Sequence, residues 1–127
     1  MSEAVLDASA LLALLNAEEG AKIVQEYLPK AVISSVNLAE VVTRLAAVEI
    51  PEGEIQEILT ILGLEVIPLN RTQAIRTGLL YTQTHSLGLS LGDRACLALA
   101  QSMEVPAITA DRVWADLNIG IEVKLIR

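Results

Sequence analysis

The sequence predicts an α/β protein: a three-layer α/β/α sandwich around a central, mostly parallel sheet, built as one domain over residues 1–127. Three observations predict it. Short apolar runs of strand length alternate with longer stretches of helical periodicity along the whole chain, the pattern of successive βαβ units. Hydrophobic residues make up 53% of the 127, yet only 2% are aromatic. The core is therefore aliphatic, as suits strands buried on both faces by helices. A chain of this length also hides roughly two-thirds of its unfolded surface, enough for one sizeable core.

Each element can be justified in order. Ala4 to Asp7 reads as a strand that ends abruptly in an acid. A helix starts over Leu11–Leu15, and a second covers Glu19–Leu28. Ala31–Ile33 is a strand bounded by Ser34 and Ser35, residues that favour helix N-caps. The next helix carries an apolar stripe at Leu38, Val41, Val42 and Leu45. Another such face is Ile55, Ile58, Leu59 and Leu62, starting at Pro51 and stopping at Gly63. Glu65–Pro68 is a short strand, and Asn70–His85 is helical. The segment Gly92–Met103 is apolar almost all round, so that helix is central and buried. Ala107–Thr109 and Ile121–Leu125 complete the strands. Helices between strands impose right-handed crossovers and a parallel sheet, but leave strand order open.

Composition narrows the function classes. The one cysteine, Cys96, sits in the apolar run ACLALA and reads as a core thiol. It permits no intrachain disulfide. Ala4–Leu15 is apolar, but Glu3 precedes it and Asp7 interrupts it, unlike a signal peptide. No apolar run approaches the ~18 residues of a membrane helix. A soluble, cytoplasmic protein without membrane contact is expected. The net charge of −7 argues against a simple nucleic-acid binder. Acids that hold divalent cations would reverse that local sign.

The acids are placed unevenly. Of 12 glutamates and four aspartates, three aspartates fall at one kind of position. Asp7 ends the strand AVLD, Asp111 follows the strand AIT, and Asp93 opens the buried helix GDRACLALA. In a parallel sheet the strand C-termini share one edge, where open α/β sheets bind ligands. Singly, each aspartate reads first as a helix cap. Together, three caps on one edge repel one another unless a cation sits among them. Glu40 falls opposite the Leu38–Leu45 stripe, beside Asn37 and Arg44, and alone reads as a solvent-facing partner of Arg44. Its place in the early turns after the second strand brings it near the same edge. Asp116 reads as a charged residue in the turn around Trp114 rather than an outer ligand.

These segments add up to a resemblance. VLDASALLALL, ISSVNLAEVVTRL, SLGDRACLALA and AITADRVWADL, in this order and spacing, resemble PIN-domain nucleases over essentially the whole chain, and within them the VapC-type toxins of toxin–antitoxin pairs. The resemblance implies an α/β/α fold and a site of Asp7, Glu40, Asp93 and Asp111 that coordinates Mg²⁺ or Mn²⁺. Ser9 and Thr109 fall where such proteins carry supporting hydroxyls. It further implies an RNA substrate, a small cognate antitoxin protein that blocks the acidic groove, and a homodimer.

Hard oxygen ligands suit Mg²⁺ or Mn²⁺ better than zinc. Asp7 and Asp93 are expected as the most direct ligands. Water activated by the cation is expected to attack phosphorus in line, leaving a 5′-phosphate and a 3′-hydroxyl. A histidine-pair ribonuclease is opposed by the single His85, which reads as a helix-end surface group. Arg94 and Arg112 each follow a candidate ligand, and either contact substrate phosphate or pair with acids. Trp114 reads as packing rather than as a stacking platform. Three other readings fit the residues less well. A haloacid-dehalogenase-like phosphatase wants a second acid where Ser9 stands, and a receiver-like domain wants an Asp on a middle strand. A catalytically silent PIN-fold binding module is opposed by the four intact acids.

Overall fold

The computed structural model describes residues 2–127. Its five strands are β1 (Ala4–Leu6), β2 (Ala31–Ser34), β3 (Glu65–Ile67), β4 (Ala107–Thr109) and β5 (Val123–Leu125). They form one sheet in the order β3-β2-β1-β4-β5, with every pairing parallel. The helices are α1 (Ala8–Leu15), α2 (Ala21–Tyr27), α3 (Ser35–Ala47), α4 (Glu52–Leu62), α5 (Arg71–Leu79), α6 (Tyr81–Thr84) and α7 (Leu91–Met103). The predicted sandwich and parallel sheet are what the structure has.

Alternation along the short strands divides the core between two faces. Val5, Val32 and Ala107 face a cluster with Cys96–Ala100 of α7, Leu80 and Trp114. Ala4, Leu6, Ala31 and Ile108 face Ala10 and Ala13 of α1 and Val24 of α2. Leu11 and Ile33 join Val41, Leu45 and Ile55, which seats α3 and α4. Burial on both faces holds for β1, β2 and β4 only. The edge strand β3 is largely exposed, with Glu65 and Val66 open to solvent, and β5 is half-buried.

Most helix starts follow the sequence signals. Asp7, Ser34, Asn70 and Ser90 cap α1, α3, α5 and α7 through their side chains. Gly63 ends α4 in the left-handed conformation. Several boundaries differ, among them α2, expected over Glu19–Leu28 and found over Ala21–Tyr27. Because Asp7 is itself the cap, α1 begins at Ala8 rather than Leu11. The helix expected from Asn70 to His85 breaks at Leu80, and His85–Leu87 continues as a 3-10 turn. The last strand begins at Val123, not Ile121.

The start of α2 rests on Gly20, which has φ +96°. A Cβ there would also lie 2.7 Å from the carbonyl oxygen of Ile126. Left-handed backbone strain and a contact with main chain act together. Gly20→Ala is therefore expected to lose about 2–3 kcal/mol of stability. Urea denaturation checks this, and an unchanged midpoint would contradict it.

Candidate active site

The strand order reverses between β1 and β4, and an open α/β sheet forms its crevice at such a switch point. The residue after β1 is Asp7, and β4 ends in Thr109, two residues before Asp111. The Asp7 amide extends the ladder by donating to Ile108 O at 3.1 Å, which fixes its backbone.

Asp7 is 4% exposed. Its Oδ1 accepts from Ala10 N at 2.8 Å, the capping bond of α1. Ser9 Oγ donates to its carboxylate, 2.7 Å from Oδ1 and 2.9 Å from Oδ2. Thr109 Oγ1 donates to Oδ2 at 2.6 Å. These hydroxyls are themselves oriented: Ser9 Oγ accepts from Ala110 N, and Thr109 Oγ1 accepts from Asp111 N. Ser9 and Thr109 thus tie the end of β1 to the end of β4 through one carboxylate. Burial pushes the Asp7 carboxyl up from 3.8 to about 6, and the nearby charge of Asp93 adds to the rise. The hydrogen bonds from Thr109, Ala10 and Ser9 oppose it.

The other three acids are each held by one oxygen. Asp93 Oδ2 accepts from Ser90 N at 2.9 Å, its half of the α7 capping box. Asp111 Oδ1 accepts from Val113 N at 3.0 Å. Glu40 Oε1 accepts from Asn37 Nδ2 at 2.8 Å. Their remaining oxygens, Asp93 Oδ1, Asp111 Oδ2 and Glu40 Oε2, accept no hydrogen bond among the described residues. At Asp93 and Asp111 capping and site placement are therefore not alternatives: the cap anchors one oxygen and leaves the other open.

All four acids line one cavity of about 420 Å³, with Ser9, Leu12, Thr43 and Arg44 among its other walls. Two other hollows are larger, about 570 and 620 Å³, but each holds two glutamates and no aspartate. Among the described residues no three acidic, histidine or cysteine side chains are drawn up to hold one ion. The donor set is nonetheless all oxygen. It also carries mutual repulsion, felt at Asp7, that a cation would relieve. Such a site fits a hydrated hard ion held through one or two carboxylates and waters, the usual mode of Mg²⁺.

Several side chains lie elsewhere than the sequence suggested. The buried face of α3 is Asn37, Val41 and Leu45, while Leu38 and Val42 are only half-buried. Asn37 is 1% exposed and bridges α3 to α7, donating to Gly92 O at 2.9 Å as well as to Glu40. This turns Glu40 toward the cavity rather than toward solvent, and no ion pair joins it to Arg44 among the described residues. A second missed residue is Gly92, since a Cβ there would overlap the Glu40 carboxylate.

Neither arginine beside a candidate acid pairs with an acid among the described residues. Arg94 Nη1 donates to Thr77 O at 3.1 Å and its guanidinium lies 5.6 Å over the Tyr81 ring. Arg112 Nε donates to Arg127 O. Asp116 is exposed and lies outside the cavity walls. Trp114 is fully buried, hence packing, and His85 is exposed, stacked on Tyr81. Cys96 is fully buried, and burial raises its thiol well above the ordinary value, which keeps it inert.

An open parallel sheet with an acid-lined cavity at its switch point, capping residues supplying three of the four acids, defines a class of α/β proteins. The chain belongs to the PIN domain family, whose model matches residues 4–119. No curated protein matches it by sequence. Solved structures share the fold. The DNA-bound VapBC of Salmonella typhimurium is 20% identical at a TM-score of 0.77, with both chains covered in full. A toxin–antitoxin complex from Klebsiella pneumoniae is 23% identical at a TM-score of 0.76, covering 98% of each chain. Mycobacterium tuberculosis VapC20, a sarcin–ricin-loop-cleaving toxin, is 15% identical at a TM-score of 0.71, covering 94% of this chain and 99% of its own. Among the described residues no helix is long and apolar enough to cross a membrane.

Proposed function

We propose that this chain is a Mg²⁺- or Mn²⁺-dependent endoribonuclease, the VapC-type toxin of a toxin–antitoxin pair. The observation that carries the reading is the meeting of Asp7, Glu40, Asp93 and Asp111 in one cavity, three of them with an oxygen free of protein hydrogen bonds. Membership of the PIN family supports it, as does the likeness to an RNA-cleaving toxin. A bound divalent cation would polarise the scissile phosphate and make water a better nucleophile.

The chain's own residues divide the remaining work. Asp7, fixed by three donors, presents one rigid negative charge at the floor of the site. Asp93 supplies Oδ1 from the first turn of α7, and Asp111 supplies Oδ2 from beyond β4. Glu40 Oε2, held in place through Asn37, accepts the proton of the attacking water. Ser9 and Thr109 keep the Asp7 carboxylate oriented. A cognate antitoxin is part of this reading, because the similar structures include toxin–antitoxin complexes. A homodimer is too, and the exposed Ile61 and Leu79 offer apolar area for either contact.

A second reading has one observation in its favour. The acids are not drawn up around a single ion, as expected of a silent PIN-fold binding module. Incubating purified, antitoxin-free protein with total cellular RNA separates the two. The nuclease reading expects discrete fragments with 5′-phosphate ends in Mg²⁺ or Mn²⁺, none in EDTA, and none from a folded Asp93→Asn protein. Intact RNA in every condition would favour the binding module.

A further inference from the structure

The acid cavity has one cation on its wall that forms no ion pair among the described residues. Of the nine basic residues, Arg44 alone lines it. Its possible helix partner Glu40 stands four residues earlier, yet the ion pairs of the described residues are Lys30–Glu3 and Arg127–Glu18 only. Arg44 is exposed and takes part in no hydrogen bond among the described residues. Arg94, Arg112 and Arg127, by contrast, are each committed to protein acceptors.

A second groove, about 340 Å³, opens beside the cavity and shares Ser9, Leu12 and Arg44 with it. It continues past Val48, which is 70% exposed, to the Glu18–Arg127 ion pair. The two hollows thus adjoin, with Ser9, Leu12 and Arg44 on the wall between them. In a chain of net charge −7, a polyanion that reaches the acids needs a cation near the reacting phosphate. A guanidinium at the junction offers the planar fork that phosphate oxygens accept bidentately.

We infer that Arg44 binds the phosphodiester next to the scissile one, and that the groove over Leu12 and Val48 carries that flank of a single-stranded RNA. This rests on the ribonuclease reading above. The groove has no aromatic wall, so it grips backbone and ribose rather than stacking bases. Its contribution to binding is therefore tolerant of sequence. Arg44 is a substrate-binding residue, not a ligand of the cation.

The test is binding of a short, mixed-sequence, single-stranded RNA to the non-cleaving Asp93→Asn protein, followed over a salt series. Arg44→Ala in that background is expected to weaken binding about tenfold. The slope of log affinity against log salt should fall by about 0.7, the loss of one phosphate contact on a single strand. Arg44→Lys should keep the slope and recover only part of the affinity. In the Asp93-containing protein, Arg44→Ala should raise KM for RNA cleavage and leave kcat nearly unchanged. Mn²⁺ affinity, read by electron paramagnetic resonance, should not fall, as it would if Arg44 merely organised the acids. Unchanged RNA affinity and slope in a parent that binds RNA would overturn the role of Arg44 alone. A parent and wild-type protein that neither bind nor cleave RNA would overturn the ribonuclease reading, and this inference with it.

Discussion

Asp7→Asn is expected to abolish RNA cleavage, by about a thousandfold or more, and at the same time to make the metal-free protein more stable at pH 7.5. The first effect follows from the loss of the fixed charge at the cavity floor. The second follows from its burial. The folded-state pKa of about 6 lies above the ordinary 3.8, so the folded protein holds this proton more tightly than the unfolded chain does. Stability from the group is fully present below pH 3.8 and is lost as pH rises through 6. At neutral pH the ionised carboxylate therefore costs about 3 kcal/mol relative to its neutral form. Asparagine removes that charge but turns an amide toward the hydroxyls that now donate to Oδ2, which returns about 1–2 kcal/mol of the gain. A net rise in Tm of several degrees is expected at pH 7.5. At pH 4 the charge term falls to about 0.5 kcal/mol, below the hydrogen-bond loss, so the variant should be no more stable than the parent there. Mg²⁺ should raise the Tm of the parent more than that of the variant. Thermal melts at the two pH values, with and without Mg²⁺, check all three. A variant that melts below the parent at pH 7.5 would mean that hydrogen bonding, not desolvation, dominates at Asp7.

The position of Asp7 was legible in the sequence because its determinants are local. A three-residue apolar run followed by an acid and a helical pattern admits few structures, and a parallel sheet carries every such acid to one edge. The same holds for Asp111 and for the buried α7 that presents Asp93. Strand order was not legible, since the register of β1 between β2 and β4 depends on packing among distant segments. The apolar stripe of α3 packs into the core as expected, but the polar residue beside it was not legible, for a related reason. Apolar periodicity selected Leu38, Val41, Val42 and Leu45, but a polar side chain occupies the buried row. Asn37 is tolerated there because Gly92 O and Glu40 Oε1 satisfy its amide hydrogens. No pattern of hydrophobicity reports a hydrogen bond spanning 55 residues of sequence. Once Asn37 is buried, Glu40 is carried to the cavity and the Glu40–Arg44 pair expected of a solvated helix does not form. The arginines were ambiguous for the opposite reason. Their long side chains reach in many directions, and Arg94 turns from the acid beside it toward α5 and the ring of Tyr81.

Gly92→Ala separates fold from site more sharply than any change to an acid. Glycine in the first turn of α7 is a poor helix former, and alanine there would ordinarily stabilise the helix by up to about 1 kcal/mol. Here the added Cβ would enter the space held by the Glu40 carboxylate. The obstructed atoms are the far end of a flexible side chain, not backbone, so the fold should survive and Glu40 should swing away. That motion gives up the hydrogen bond from Asn37, about 1 kcal/mol, and the two terms nearly cancel. The variant is expected to melt within a few degrees of the parent and to cleave RNA more slowly by about 100-fold or more, the usual loss when a general base is displaced. A double-mutant cycle with Glu40→Ala isolates the cause. If Gly92 matters only by leaving room for Glu40, then Gly92→Ala adds nothing to a protein that already lacks the glutamate. Independent, multiplying losses would instead mean that the alanine disturbs α7 and Asp93 directly. Full activity in Gly92→Ala would remove Glu40 from the reaction, leaving the three aspartates to account for it.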